Sequence, residues 1–434
     1  MRTIALDLGA RKICLSEVAD GKQVQSCTVR RLAELKPVLG PGTSPAQVAV
    51  EACREAWAVC ATLKEWGHEP VLVDTTRSRQ MGIGAHGRKT DEIDAKVLAM
   101  ALYEKRIPKA HLLSEERQKS REMLSVRATL VDTMTELINA IRGHARALGT
   151  PLPGMDTGVF CGRVAAMKLG EALQMLIAPL LMVLSTVHQQ LCEMDAKLEA
   201  TVQSDPVMLR LMSVPGVGPV VAATFVSVID DAGRFHDAHQ VMSYLGLVPS
   251  ENTTGGKRRL GSISKAGNSR ARAMLVQAAH VILNSGGQDP LRQWGLNLLK
   301  RKGRRPAAVA IARRLAGILW AMMRDGATYN PKLVGEASAD GLRCRALQVE
   351  VEAMAMQLVA AKSAKRQTRI ARSQLLANEA ANTVRGVMTA EVAPQPPPAK
   401  APPAKAPPAK ATPAKAPPAK ARKRDKASQS RATA

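Results

Sequence analysis

HGRKTDEIDAKVLAMAL, residues 86–102, contains a helix start and an electrostatic problem. Thr90 suits an N-cap, and Asp91 and Glu92 fall in the first turn, where carboxylates complement the helix dipole. Ile93, Val97, Leu98, Met100, Ala101 and Leu102 supply an apolar face, so the spacing predicts a helix over 90–104. Asp94 breaks this pattern. It borders the apolar stripe and shares a face with Asp91, three residues back. Two carboxylates held side by side repel one another, and cations relieve that repulsion.

Upstream of this helix the chain reads as alternating strands and turns. TIALD (3–7), ICLSEV (13–18) and QVQSCTV (23–29) are three strands separated by Gly- or Lys-containing turns. AQVAVEAC (46–53) is a fourth, leading into an Ala-rich helix that ends near Gly67, and EPVLVD (69–74) is a fifth. A three-strand meander followed by strand–helix alternation predicts an α/β domain with a mixed sheet.

Downstream the pattern turns helical. RATLVDTMTELINAIRGHARAL (127–148) and LMVLSTVHQQLCEMDAKLEATV (181–202) repeat apolar residues at three- and four-residue spacing. A Pro/Gly-rich segment, GTPLPGMDTG, lies between them, so the pair reads as a helical hairpin or coiled-coil arm. Residues 206–330 form another unit, and 346–385 read as one more helix. After about 390 a Pro-Ala-Lys repeat takes over. Proline at that density blocks helix and sheet and predicts a disordered, PPII-like tail. Seven Lys, three Arg and one Asp in 394–434 give this tail +9 of the chain's +25. Such a tail suits loose, sequence-independent binding of polyanions, or a spacer.

The whole chain is 434 residues, 46% hydrophobic, with a formal charge of +25. Length and apolar content predict several domains with their own cores. The charge favours a nucleic-acid partner over a membrane. Aromatic residues are only 2% of the chain, so stacking platforms for single strands are excluded and binding rests on charge and backbone contacts. Seven scattered cysteines without a C-x-x-C pair argue for a reducing cytoplasm and against structural zinc or a disulfide framework. MRTIALDLGA lacks the apolar core of a signal peptide. The longest apolar run, ALQMLIAPLLMVLSTV (172–187), is too short for a membrane span and carries Gln174 and Pro179.

Asp7 ends the first strand, Glu51 the run AVE of the fourth, and Asp91 and Asp94 open the helix. If these ends meet at one edge of the sheet, four carboxylates converge. They then call for hard divalent cations with oxygen ligands, Mg²⁺ or Mn²⁺. Two such ions roughly 4 Å apart can clamp the attacking and leaving oxygens of a phosphodiester.

Asp7 in ALDLGA, Glu51 in VAVEAC, and Asp91 and Asp94 in RKTDEIDAKVLA resemble the motifs of the DEDD transposases of bacterial insertion sequences. That family includes Piv-type DNA invertases and bridge-RNA-guided recombinases. The resemblance spans about residues 1–330. It implies a RuvC-like, RNase H-type α/β domain over 1–112 and a helical coiled-coil arm over 113–203. A mostly helical transposase domain with a helix-hairpin-helix element would occupy 204–330; beyond the resemblance, the residue pattern adds a helical segment over 331–389 and the basic tail over 390–434. An actin-like sugar kinase also begins with D-x-G on a strand, but no second Gly-rich nucleotide motif is present.

VPGVGPVVAA (214–223) carries the Gly-x-Gly turn of a helix-hairpin-helix, with Gly216 and Gly218 free to bring backbone N–H groups to a phosphate, or simply to make a tight turn. LGLVPSENTTGGKRRLGSISKAGNSRARAMLVQAA (245–279) combines a Gly pair, Lys257-Arg258-Arg259, Lys265, Arg270 and Arg272. It is a cationic loop carrying hydroxyls, suited to a phosphodiester. The resemblance implies a serine nucleophile here, just before the Gly pair. This chain has Thr254 at that position, with Thr253 before it and Ser250 four residues earlier, so Thr254 is the expected nucleophile and the other two its alternatives.

The expected function is a transposase or site-specific recombinase that cleaves and exchanges DNA strands at element ends and target. The resemblance also implies a structured guide RNA, a dimer or tetramer, and a nucleoid-associated place in the bacterial cytoplasm. Two rivals stay open: a RuvC-like nuclease using water, and an inactive nucleic-acid-binding relative.

Overall fold

The computed structural model describes residues 1–81, 90–252, 259–331 and 348–390, and residues 1–387 form one compact unit. The tail falls outside the described residues.

Period-two alternation builds the sheet. β1 (Arg2–Leu8), β2 (Ile13–Ala19) and β3 (Lys22–Val29) form an antiparallel meander. Asp20 and Gly21 turn β2 into β3 at φ of 49° and 70°, a left-handed geometry that Asp and Gly tolerate best. After the short helix α1 (Lys36–Leu39), β4 (Ala46–Glu51) pairs parallel with β1. Then α2 (Ala56–Glu65) leads to β5 (Glu69–Val73), parallel to β4. The order is β3-β2-β1-β4-β5. The five expected strands are present, and β4 stops at Glu51 rather than 53.

The two sheet faces bury different residues. Ile4, Leu6, Val48 and Val50 pack with Val59, Cys60 and Leu63 of α2. Their neighbours Ala5 and Ala49 pack on the other side, with Val71, Val73 and the apolar stripe of α4 (Asp91–Tyr103), which follows α3 (Thr75–Gln80). Alanines on that face let α4 lie close across β1 and β2.

α5 (Glu115–Ala147) begins twelve residues before the expected 127, with Glu115 and Glu116 in its first turn. At 33 residues it is about 50 Å long. α6 (Thr157–Ala166) starts at the end of the Pro/Gly-rich connector, a helix the sequence reading missed, and α7 (Glu171–Ser204) runs straight through Pro179. Met134, Ile138 and Ile141 of α5 meet Phe160 and Val164 of α6 and Ile177, Leu181 and Leu184 of α7. Arg127 of α5 donates to Asp195 of α7 at 2.5 Å.

The remaining core gathers α8 (Pro206–Leu211), α9 (Pro219–Ile229), α10 (Ala238–Tyr244), the β6–β7 hairpin (Pro249–Glu251 and Leu260–Ile263), α11 (Ser269–Asn284), α12 (Pro290–Lys302) and α13 (Arg304–Asp325). α9 is buried on nearly all sides, and Ile311, Leu315 and Leu319 of α13 fill the centre. By length and composition alone, α7 and α13 could cross a membrane; here both contribute to packed cores.

α14 (Gln348–Ala390) docks against α7 through polar groups. Ser363 donates to Glu199 at 2.8 Å, Arg366 Nε lies 3.2 Å from the other Glu199 oxygen, and His188 Nε2 is 2.9 Å from Ser373 Oγ. Burial lowers the His188 pKa, so protonation of this ring opposes the packed state.

Candidate active site at the end of the sheet

Strand parity places the first two acids. Asp7 is two residues beyond Ala5 and Glu51 two beyond Ala49, so both side chains fall on the face covered by α4. The β1–β4 register ends at Leu6 opposite Val50, and the next residue on each strand is Asp7 or Glu51. The two carboxylates therefore leave neighbouring parallel strands at the same end. Asp91 is the first residue of α4, where Thr90 Oγ1 accepts from Ile93 N at 3.3 Å. Asp91 Oδ2 would lie 3.7 Å from a Cβ at Gly9, two residues past Asp7. Asp94 sits one turn along α4. All four acids are half-buried.

The backbone brings these acids to one end of the sheet, but their side chains do not converge. Among the described residues no three His, Cys, Asp or Glu side chains form a group able to hold a metal ion. A cation already serves this end: Lys12 Nζ lies 3.0 Å from Asp91 Oδ2, and the carboxylate raises the lysine's pKa. The ammonium is a stand-in positive charge, and hard oxygen donors beside it are the donor type that Mg²⁺ or Mn²⁺ takes. In that sense the donor chemistry fits a divalent ion. Sequence reading missed Lys12, although it stands five residues after Asp7.

The hydroxyl loop is partly a hairpin. Thr253, Thr254, Lys257 and Arg258 lie outside the described residues. Arg259 is exposed and accepts Asn252 N–H at 2.9 Å through its carbonyl. Ser250 donates its hydroxyl to Ser262 O at 3.0 Å across the hairpin. Lys265, at φ 56°, donates its backbone N–H to Gly246 O at 3.1 Å. Gly246 and Gly267, both at positive φ, interlock: a Cβ on the first would strike the Ala266 backbone, and on the second Tyr244 O. Arg272 ties the knot, donating from one nitrogen to the carbonyls of Leu245, Ala266 and Gly267 at 2.7–3.2 Å. Arg270 is half-buried and donates to Leu124 O at 2.9 Å, holding α11 against α5.

The Gly-x-Gly turn joins α8 to α9. Gly216 has φ 81°, and a Cβ there would come within 2.8 Å of Ala278 O and Ile282 Cγ1, so close packing on α11 demands glycine. Gly218 is the N-cap of α9 without a side-chain cap, and Arg366 of α14 reaches within 3.7 Å of its Cβ position.

A separate cluster ties the sheet to the helices. Asp230, at φ 58° just after α9, accepts from Ser114 N at 3.1 Å and Ser114 Oγ at 2.8 Å, and lies 2.7 Å from His111 Nε2. Partial burial pushes the Asp230 pKa up, but the bonds from His111 and Ser114 outweigh it and the net shift is down. A depressed folded pKa gives stability that is present above the unfolded value near 3.9 and is lost as pH falls through the folded one. Asp230→Asn is expected to lower Tm at pH 7, with the deficit shrinking below about pH 3. Thermal melts at the two pH values check this.

Two family models match the chain. One, a transposase model of the DEDD IS110 type, covers residues 4–148 and so all four acids. The other, described as the transposase IS116/IS110/IS902 family, covers 208–292 and so the Gly-x-Gly turn and the hairpin. A probable family 20 transposase of Pseudomonas aeruginosa is 30% identical over 301 residues, covering 66% of this chain and 86% of the relative. A putative transposase of Sinorhizobium fredii is 30% identical over 293 residues, covering 66% and 75%. A transposase for insertion sequence element IS1111A of Coxiella burnetii is 29% identical over 250 residues, covering 56% and 68%. Sheet, helices and matches together define a transposase. The chain belongs to the IS116/IS110/IS902 transposase family.

Proposed function

We propose that the protein cleaves and exchanges DNA strands at the ends of an insertion sequence and at its target, through a side-chain hydroxyl nucleophile. The observation that carries this reading is the placement of Asp7, Glu51 and Asp91 at one end of the sheet, on the face covered by α4. The strand order, with an antiparallel meander followed by two parallel strands, supports an RNase H-like, RuvC-like domain over 1–112. The α5–α7 pairing supports an arm over 113–203, and α8 and α9 about the Gly-x-Gly turn support a helix-hairpin-helix within 204–330.

In this reading Asp7, Glu51, Asp91 and Asp94 hold two Mg²⁺ or Mn²⁺ ions, which would stabilise charge on the attacking and leaving oxygens. Thr254 Oγ forms a bond to phosphorus as a backbone P–O bond breaks, and the departing strand keeps its oxygen. Lys257, Arg258, Arg259 and Lys265 hold phosphates, and the Gly216–Gly218 turn grips the duplex. Ser250 is the weaker nucleophile candidate, because its hydroxyl is already donated to Ser262 O. Resemblance alone supports the guide RNA, the assembly as a dimer or tetramer, and a place at the nucleoid in the bacterial cytoplasm.

Covalent trapping tests the proposal. Protein, co-purified RNA and element-end DNA are incubated with Mg²⁺, denatured, and the adduct is mapped by mass spectrometry. An adduct on Thr254 that disappears in Asp91→Ala is the expected result. Cleavage without an adduct, unaffected by Thr253→Ala with Thr254→Ala, means that water attacks. DNA and RNA binding with neither cleavage nor adduct means the chemistry has been lost.

A further inference from the structure

A cavity of about 970 Å³ opens where the chain leaves β4 after Glu51, between the sheet and the helical half. Three arginines from three separate elements line it: Arg54 after β4, Arg121 of α5, and Arg270 in the first turn of α11. Arg54 and Arg121 are exposed and make no ion pair among the described residues. Arg270 spends one nitrogen on Leu124 O and keeps its other donors. The only acid in the lining, Glu122, leaves a surplus of positive charge.

Two further features are aimed at an anion. α11 begins at this wall, with Asn268, Ser269 and Arg270 in the lining, so the positive dipole end of the helix lies beside the space; Asn268 already caps Ala271 N at 3.0 Å. Thr224 of α9, also in the lining, is 2% exposed, and its hydroxyl oxygen has no hydrogen-bond partner among the described residues. A buried orphan hydroxyl costs free energy until something bonds it. Arginines, a helix N-terminus and an unsatisfied hydroxyl share one complement, a phosphate.

We propose that this cavity holds a backbone phosphate of the bound DNA, away from the reacting one. The assignment to DNA rests on the transposase reading above; the phosphate chemistry rests on the cavity alone. Arg54 contacts the phosphate from the sheet side, and Arg121 of α5 and the start of α11 with Thr224 contact it from the helical side.

The test is binding of labelled element-end DNA by the full-length protein across a salt series, with a structured RNA of equal length as a second arm. Arg54→Gln with Arg121→Gln is expected to weaken DNA binding roughly tenfold and to lower the salt slope by about 0.9 per lost contact. Arg54→Lys with Arg121→Lys restores the slope. Arg146→Gln, an exposed charge near the end of α5, leaves it nearly unchanged. Thr224→Val raises Tm without DNA and shrinks the Tm gain that DNA confers. Parental slope and affinity in the double variant would overturn the proposal, as would an equal loss from Arg146→Gln. A loss confined to the RNA arm overturns the assignment to DNA. Because the readout is binding, failure of covalent trapping with the Arg54/Arg121 effect intact would sink the catalytic reading and keep the cavity.

Discussion

Asp91→Asn is expected to cut strand cleavage at element ends by at least about 10³-fold, or about 4 kcal/mol of transition-state stabilisation, while the protein stays folded. The substitution keeps shape and removes charge. Asp91 is half-exposed at the start of α4, so the structural losses are small: one pairing with Lys12, and a helix-dipole interaction of about 0.3–1 kcal/mol. Helix α4 itself is held by Leu98, Ala99, Ala101 and Leu102, none of which is touched. A steady-state cleavage assay beside a thermal melt separates the two effects. Cleavage within tenfold of the parent, at an unchanged Tm, would mean that the carboxylates at this end of the sheet do not serve the chemistry. Asp7→Asn and Glu51→Gln should match Asp91→Asn, since strand parity sets the first two on the face that α4, with Asp91 at its start, covers.

Gly246→Ala is expected to destabilise the helical half by about 2–5 kcal/mol. The position combines a φ of 67° with a direct backbone collision at Ala266. Neither can be relieved by rotating a side chain, because the obstacle is main chain on both sides. Its consequence reaches past stability. Lys265 N–H bonds Gly246 O, and Arg272 clamps the carbonyls on either side, so the two ends of the hairpin are joined at this knot. Forcing it open frees β6 and β7 to shift, and Thr254 falls in the sequence between them. Denaturant melts should show the loss of stability. Hydrogen exchange should show early opening at residues 245–251 and 260–267. A variant that melts like the parent would mean that the Gly246 crossing relaxes without cost.

The sheet was legible because period two leaves little choice: Ile4 and Leu6 against Ala5, Val48 and Val50 against Ala49. The sequence put Asp7 and Glu51 at strand ends; that both fall on the α4 face follows from their parity with Ala5 and Ala49. Thr90 and its two following acids announced α4 by cap chemistry alone. α5 was harder. Its first three turns, EERQKSREMLSV, are good helix formers but too polar to show a stripe, and only Met123 and Leu124 among them join the helical core. α6 hid behind Pro151, Pro153 and Gly154, which read as loop and are loop, up to the cap at Asp156. In the site, long-range partners were the illegible part. Nothing local ties His111 to Asp230, or Arg54 to α11. Gly216 suits a phosphate approach or a tight turn in the sequence; what the sequence does not show is that its closest neighbours are the backbone and side chain of a helix more than sixty residues away.

α14 lies beyond both family matches, which end by residue 292. Yet Glu199 of α7 is only 3% exposed, and its carboxylate is served by Ser363 and Arg366 from that helix. Deleting α14 would leave this charge to water and uncover the start of α9 at Gly218. The helix therefore acts as a lining for its neighbours as much as an element in its own right: the surface beneath it is composed for contact, and a shortened chain would inherit that surface without its partner.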